Sequence, residues 1–237
     1  MRAVQAVAWK EIQIYFSSPT AYIVGMIFLA LTGVFFVRDL GDPFPEASLS
    51  SFFQGATIVL VLMAPVLTMR LMAEEQKLGT IELLLTSPVR DWEVVVGKYI
   101  SSLVFLGATL ALTLYYTILL FVFADPDPGP IYAGYFGLLM YGAAALAIGL
   151  LASTLTSNQI VAAAVAMGIL LVLYFADAAS GSLGNTASNI IAQVGIKSHF
   201  DDFARGVIDT RHVVYYISVV AFFLFLTIRA LESRRWR

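Results

Sequence analysis

Between Ala73 and Arg90 the chain reads AEEQKLGTIELLLTSPVR, and most ionisable side chains of its first half lie in or beside this stretch. Glu74, Glu75, Lys77, Glu82 and Arg90 are side chains that form ion pairs and relay charge. Gly79 breaks the run, Thr80–Thr86 reads as a short helix, and Ser87-Pro88 marks a restart. Glu82 falls in the first turn of that helix, where a carboxylate suits the dipole. Ile81, Leu84 and Leu85 share one side of it. Long apolar segments leave the stretch in both directions, which serves chemistry on a soluble substrate poorly. A polar knuckle held between membrane segments is instead suited to take a push, through ion pairs, from something bound at the membrane face. A solvated loop whose charges only set topology fits the same spacing.

The remaining reactive side chains are few. There is no cysteine, which excludes structural disulfides, thiolate catalysis and thiolate metal sites within the chain. The two histidines, His199 and His212, leave little for a zinc or haem site. No G-x-x-x-x-G-K-[ST] occurs, so the chain does not cradle ATP phosphates in that way. A formal charge of −2 gives no general reason to bind nucleic acid. The reading is of a non-enzyme with no catalytic, cofactor or metal residues of its own.

The elements that hold the knuckle follow from composition. Of 237 residues, 59% are hydrophobic and 13% charged, and several apolar runs reach the roughly 20 residues a helix needs to cross a bilayer. These runs lack the alternation of barrel strands, and only helices or closed barrels satisfy their backbone in lipid. The fold class is all-α and polytopic. It has one transmembrane domain over 1–237, with spans near 20–37, 49–69, 95–123, 131–154, 159–176 and 213–228. Pro65 inside the second span predicts a kink. From Pro88 to Phe123 one helix of 36 residues would reach about 54 Å. Its first turns, with Arg90, Asp91, Glu93 and Lys98, should then project from the membrane or lie along it, with Trp92 and Tyr99 at the interface.

Residues 2–16 have a helical rather than a spanning pattern. Val4, Val7, Ala8, Ile12 and Tyr15 share a face opposite Arg2, Lys10 and Gln13, as in a helix lying in the interface. Lys10 and Glu11 interrupt the start too early for a cleavable signal peptide. Glu11 falls on the apolar face, where an unpaired carboxylate is costly. It either reaches headgroup water or pairs with the loop after the second span. At the other end, the 36 residues from Asp177 to His212 are too polar for a full span, although 186–196 is moderately apolar, and 186–210 reads as two short helices on or in the outer leaflet. Ser198 would cap Phe200–Ile208, with Asp201 in a capping-box position.

Six spans put both termini on one side. Arg2, Lys10, Arg70, Lys77, Arg90, Lys98, Arg229, Arg234, Arg235 and Arg237 lie on that side, and Arg38, Lys197, Arg205 and Arg211 on the other. Ten against four, by the positive-inside rule, places the termini and the knuckle in the cytoplasm of a cell (inner) membrane protein. The spans carry essentially no ionisable group, which argues against proton- or sodium-coupled transport. A Ser-His pair is possible only at the outer edge, which argues against a membrane hydrolase.

The run EEQKLGTIELLLTSPVRDWEVVVGKY resembles the signature of permease subunits of type-2 ABC transporters: acidic and basic residues, then G-T-x-E-x-L-L-x-[ST]-P, then a helix returning to the membrane. Gly79, Thr80, Glu82, Leu83, Leu84, Ser87 and Pro88 occupy those places. WKEIQIYFSSP at the start and LASTLTSNQIVAAA at Leu151–Ala164 resemble the same family. The length, APVLTMRLMAEEQKLGTIELLLTSP and FDDFARGVID are similar to the permease associated with bacterial gliding motility; the permease of nitrous oxide reductase maturation is a related branch.

The resemblance implies a dimer of such units, or a pair with a homologous permease, docked on a cytoplasmic ABC subunit that holds ATP and Mg. It implies export, with 73–90 as the coupling region. Glu11, Glu74, Glu75, Gly79, Thr80, Glu82, Leu83, Leu84, Pro88 and Arg90 become the coupling and docking residues. Glu74, Glu75 and Glu82 would pair with basic groups of the ATPase, or with Arg90 and Lys98 of this chain. Thr57, Val61, Met167 and Tyr174 are candidates for a path, and equally for helix packing. Phe200, Phe203 and Arg205 would form an outer gate, with Arg205 pairing Asp201 or Asp202. Membrane lipids surround the chain, and an extracytoplasmic accessory protein is a further expected partner. Two other classes share these features: an ATPase-driven scaffold that pulls on an envelope partner, and a channel or secondary carrier with no ATPase.

Overall fold

A computed structural model describes residues 2–40, 48–80, 89–180, 193 and 195–234. Eight helices run through the described residues: α1 (Arg2–Ser17), α2 (Pro19–Leu40), α3 (Ser50–Lys77), α4 (Asp91–Phe123), α5 (Pro128–Leu155), α6 (Gln159–Ser180), α7 (Ser198–Ala204) and α8 (Thr210–Arg234). Six of them, α2 to α6 and α8, are long and apolar enough to cross a membrane. The protein is an all-α polytopic membrane protein.

Helices α3 and α5 form the centre, and their membrane-length segments are mostly buried by the rest of the chain. Around them α2, α6, α8 and one face of α4 present apolar side chains outward, among them Met26, Val34, Leu112, Ile118, Val172 and Phe222. An apolar exterior is what a lipid-facing helix requires. Small residues on α5 set the inner spacing. Gly134 admits Phe53 of α3, Gly142 admits Leu106 of α4, and Gly137 admits Phe203 and Phe200 of α7. At Gly149 an added β-carbon would overlap the Thr68 hydroxyl of α3. Close backbone approach of this kind drives helix association in lipid, where burial itself contributes little.

Helix α3 runs unbroken through Pro65. The ring removes one backbone donor, and three residues on Thr68 Oγ1 donates 2.8 Å to the Ala64 carbonyl. The third span's helix begins at Asp91 rather than at Pro88, because the Glu93 carboxylate accepts the Arg90 N–H at 3.0 Å and closes the first turn. Its 33 residues correspond to about 50 Å. The outer helix also differs from expectation. It spans Ser198–Ala204, its N-cap is Lys197, and the Ser198 hydroxyl turns back to the Gly195 carbonyl at 3.0 Å. It stops early because Gly206 takes φ +90°. Gly206 N–H then reaches Phe203 O (3.0 Å) and Val207 N–H reaches Asp202 O (2.9 Å), a Schellman end. Glu82, Leu83, Leu84, Pro88 and residues 186–192 lie outside the described residues.

The seam of α5 against α3 yields a stability test. Gly149→Leu should lower the unfolding free energy of the solubilised chain by about 1–3 kcal/mol through overpacking against Thr68. Gly168→Ala on α6, where a β-carbon meets open space, should leave it within about 0.5 kcal/mol. Thermal melts of both variants, run side by side in one detergent, check the contrast.

Candidate functional site

The ionisable groups converge at the pole where α1, the end of α3 and the start of α4 meet. Helix α1 buries Ala8, Glu11 and Tyr15, which are three or four residues apart and so share one stripe. That stripe lies across α4 at Gly97, where a β-carbon would come within 2.9 Å of Val7. The neighbouring Lys98 is thereby roofed by α1 and only 2% exposed. Its ammonium nitrogen lies 2.6 Å from Glu11 Oε1 and 2.9 Å from Glu75 Oε1. One cation on α4 thus holds one carboxylate from α1 and one from the end of α3.

Lys98, expected among the first turns that project from the membrane or lie along it, is enclosed within the protein at this pole. Length alone gave no sign that α1 covers Lys98 and that Glu11 supplies its counter-charge. Tyr99 is also buried, with its hydroxyl donating to Ala143 O at 3.0 Å, whereas Trp92 stays exposed. Glu11 has 7% exposure and pairs with Lys98, joining the Ala73–Arg90 stretch through Glu75 on the same ammonium. Two carboxylates around one ammonium leave a surplus negative charge. Glu75 Oε2 is buried with no hydrogen-bond partner among the described residues.

A second set of contacts fastens the other end of α1. Tyr15 donates to Leu67 O at 2.8 Å and stacks on Phe105 with centroids 5.3 Å apart. The Arg70 guanidinium lies 5.1 Å over the Tyr15 ring and donates to Ser18 Oγ at 2.8 Å. Burial raises the Tyr15 phenol pKa, with Arg70 acting the other way, so the hydroxyl stays a donor. Beside the cluster a cavity of about 500 Å3 is lined by Lys10, Ile14, Arg70, Glu74, Leu78 and Thr80. Gly79 takes φ +71°, a left-handed turn that frees the chain from α3 and that other residues rarely adopt. Glu74 and Thr80 are exposed beside it, and Arg90 is exposed at the N-cap of α4.

Sequence reasoning missed a polar joint between α3 and α5. Ser153 Oγ accepts the Met72 and Ala73 N–H groups, each at 3.1 Å, and donates to Met69 O at 2.9 Å. Gln76 Nε2 donates to Thr154 O at 2.9 Å. A signal was present: Gly149 and Ser153 stand four apart on one helix, and Thr68, Met72 and Gln76 four apart on the other.

Thr57 and Val61 are fully buried inside the chain, and Thr57 donates to Gln54 O at 2.7 Å. Met167 and Tyr174 are half-buried on α6. Phe200 and Phe203 are buried against α5, and exposed Arg205 lies 3.9 Å from Asp202. The two histidines sit together at the pole opposite Glu11, with ring centroids 5.1 Å apart. His212 Nε2 is 2.8 Å from Asp202. Ser198 Oγ is 3.2 Å from His199 Nδ1, but both point at Gly195 O, at 3.0 and 2.9 Å. A ring nitrogen that donates to that carbonyl is not a base for the serine, so the pair is a turn rather than a nucleophile.

The family model described as "ABC-2 family transporter protein" matches residues 5–201. Similar curated proteins include the "Probable multidrug ABC transporter permease YbhR" of Escherichia coli (strain K12), 33% identical over 87 residues. That match covers 37% of this chain and 23% of the relative. The "Probable multidrug ABC transporter permease YbhS" of the same organism is 34% identical over 127 residues, covering 52% of this chain and 33% of the relative. The matched segments thus span only a quarter to a third of those relatives' length.

Removing the shared cation should expose its role. Lys98→Met leaves the buried Glu11 carboxylate and the half-buried Glu75 carboxylate without their cation and should cost about 3–5 kcal/mol of stability. The triple variant Lys98→Met, Glu11→Gln, Glu75→Gln should recover most of that loss. Denaturation in detergent checks this; a single variant as stable as the triple would show that the pairing carries no energy.

Proposed function

The chain belongs to the ABC-2 transporter family, and from that premise we propose that it is the membrane-embedded permease subunit of a transport complex. Its motion is driven by ATP hydrolysed on a separate cytoplasmic subunit, where ATP and Mg are held. The chain works as a dimer or with a homologous permease, and it exports its substrate. It resides in the cell (inner) membrane with both termini and the 73–90 stretch in the cytoplasm. Among branches of the family, the gliding-motility permease and the nitrous oxide reductase permease are the ones its segments resemble.

The observation that carries this reading is the Lys98 bridge. The ATPase docks on the exposed face of α1 and on the stretch after Gly79, with Glu74, Glu82 and Arg90 as contacts. A displacement there cannot stay local. Glu75 and Glu11 share one ammonium, so α1, α3 and α4 move together or the pair breaks in a buried site, which is costly. Helix α3 then carries the motion to α5 through Ser153 and Gln76.

The native chain has no cysteine, so a single Lys77→Cys variant offers one label site. A membrane-impermeant maleimide should modify it only after the cells are permeabilised; modification of intact cells would reverse the orientation and end the docking reading. Purification from native membranes should bring down a subunit carrying a P-loop. Within that complex Glu82→Ala should cut ATP-driven activity by about tenfold or more at unchanged complex yield, equivalent to about 1.4 kcal/mol of lost coupling. Wild-type activity in that variant would remove Glu82 from the contact.

A further inference from the structure

At the pole opposite the Lys98 cluster a cavity of about 460 Å3 opens between α2, α3 and α6. It is lined by Phe35, Arg38, Ser50, Gln54, Ile58 and Tyr174, among others. Its size falls in the range of small-ligand sites, roughly 300–1,000 Å3. The lining divides by chemistry. Arg38, Ser50 and Gln54 offer a guanidinium, a hydroxyl and an amide, while Phe35, Ile58 and Tyr174 supply apolar walls. Gly55 keeps the cavity in shape, since a β-carbon there would overlap the Phe35 ring. Arg38 makes no ion pair among the described residues, and no carboxylate is among the described lining residues. A second cation stands at the edge, with Lys197 Nζ 5.2 Å over the Tyr174 ring.

We propose that this cavity binds an anionic amphiphile, with a phosphate or carboxylate head on Arg38 and its apolar chain against Phe35, Ile58 and Tyr174. A guanidinium is suited to such a head because its planar fork matches two oxygens at once. Ser50 and Gln54 supply the neutral donors that complete the head's hydrogen bonds. An arginine at a span end that only reaches for lipid headgroups needs no shaped apolar wall beside it; here the wall and the charge belong to one cavity. Binding at this place does not depend on an ATPase, whereas service of the bound molecule as cargo rests on the transport reading.

The test uses the full chain in nonionic detergent, titrated with dodecyl phosphate and with dodecyltrimethylammonium, the bound molecules being counted by native mass spectrometry. One phosphate should bind per chain at concentrations where the ammonium does not. Arg38→Gln should weaken binding about tenfold, the scale of one charge-assisted contact, and Arg38→Lys by less. Ile58→Trp, which fills the apolar end and leaves Arg38 in place, should weaken binding to a similar degree. Equal uptake of the two amphiphiles, or an unchanged Arg38→Gln variant, overturns the site. Full binding by the Ile58→Trp variant also overturns it, since that marks a headgroup contact on the surface. Displacement of the probe by phosphatidylglycerol supports the site with a resident lipid as the source; a probe that phosphatidylglycerol does not displace supports it with a free single-chain amphiphile. A chain that binds the phosphate but never copurifies with an ATPase would end the transport reading and leave this site standing.

Discussion

A cation taken out of water keeps its charge only if counter-charge comes with it, and that constraint organises one pole of this protein. Lys98 lies nine-tenths and more enclosed, so its ammonium draws in Glu11 from α1 and Glu75 from α3. Drawing them in fixes where α1 lies, and α1 then seats Val7 on Gly97 and Tyr15 on Leu67 and Phe105. The ion pairs add little net stability against a well-packed apolar alternative. What they add is registry, because two carboxylates cannot share one ammonium in any other alignment of the three helices.

The two ends of the molecule are built on different physics. Near Lys98 charges are buried and matched at hydrogen-bond distance. At the far end an arginine faces a cavity, the short helix α7 is pinned by two phenylalanines, and the half-buried histidines meet Asp202 and Tyr215. The first arrangement resists separate movement of its helices. The second is joined by rings seated on α5, with His212–Asp202 and the Tyr216 hydroxyl on Ile196 O as polar ties.

The helical class and the six apolar segments were legible because length and hydrophobicity alone specify a helix that can cross a bilayer. The buried stripe of α1 was legible too, since Ala8, Glu11 and Tyr15 follow the helical period, and so was the need of Glu11 for a partner. A Glu75–Lys98 pair within the chain was legible as one of two alternatives; the enclosure of Lys98 beneath α1 was not, because a single sequence shows how long a helix is but not what lies across it. The flanking run VVVGKYISSL held the clue, as a lone cation between apolar residues must be paired or must reach water. Ser153 escaped notice for a related reason: its bonds go to backbone of another helix, which leaves no side-chain type to match. The early stop of α7 was hidden in Gly206, whose left-handed conformation outweighs the helical pattern of the residues around it.

One helix touches both ends. Ser153 on α5 grips the backbone of α3 at Met69, Met72 and Ala73, and Gly137, sixteen positions earlier, takes the rings of α7. At about 1.5 Å per residue the two grips are about 24 Å apart on a continuous hydrogen-bonded rod. Such a rod is stiff along its axis and has neither proline nor described break between the grips. It therefore works as a strut: an axial slip of one end must appear at the other undiminished, and the only freedom left is to tilt.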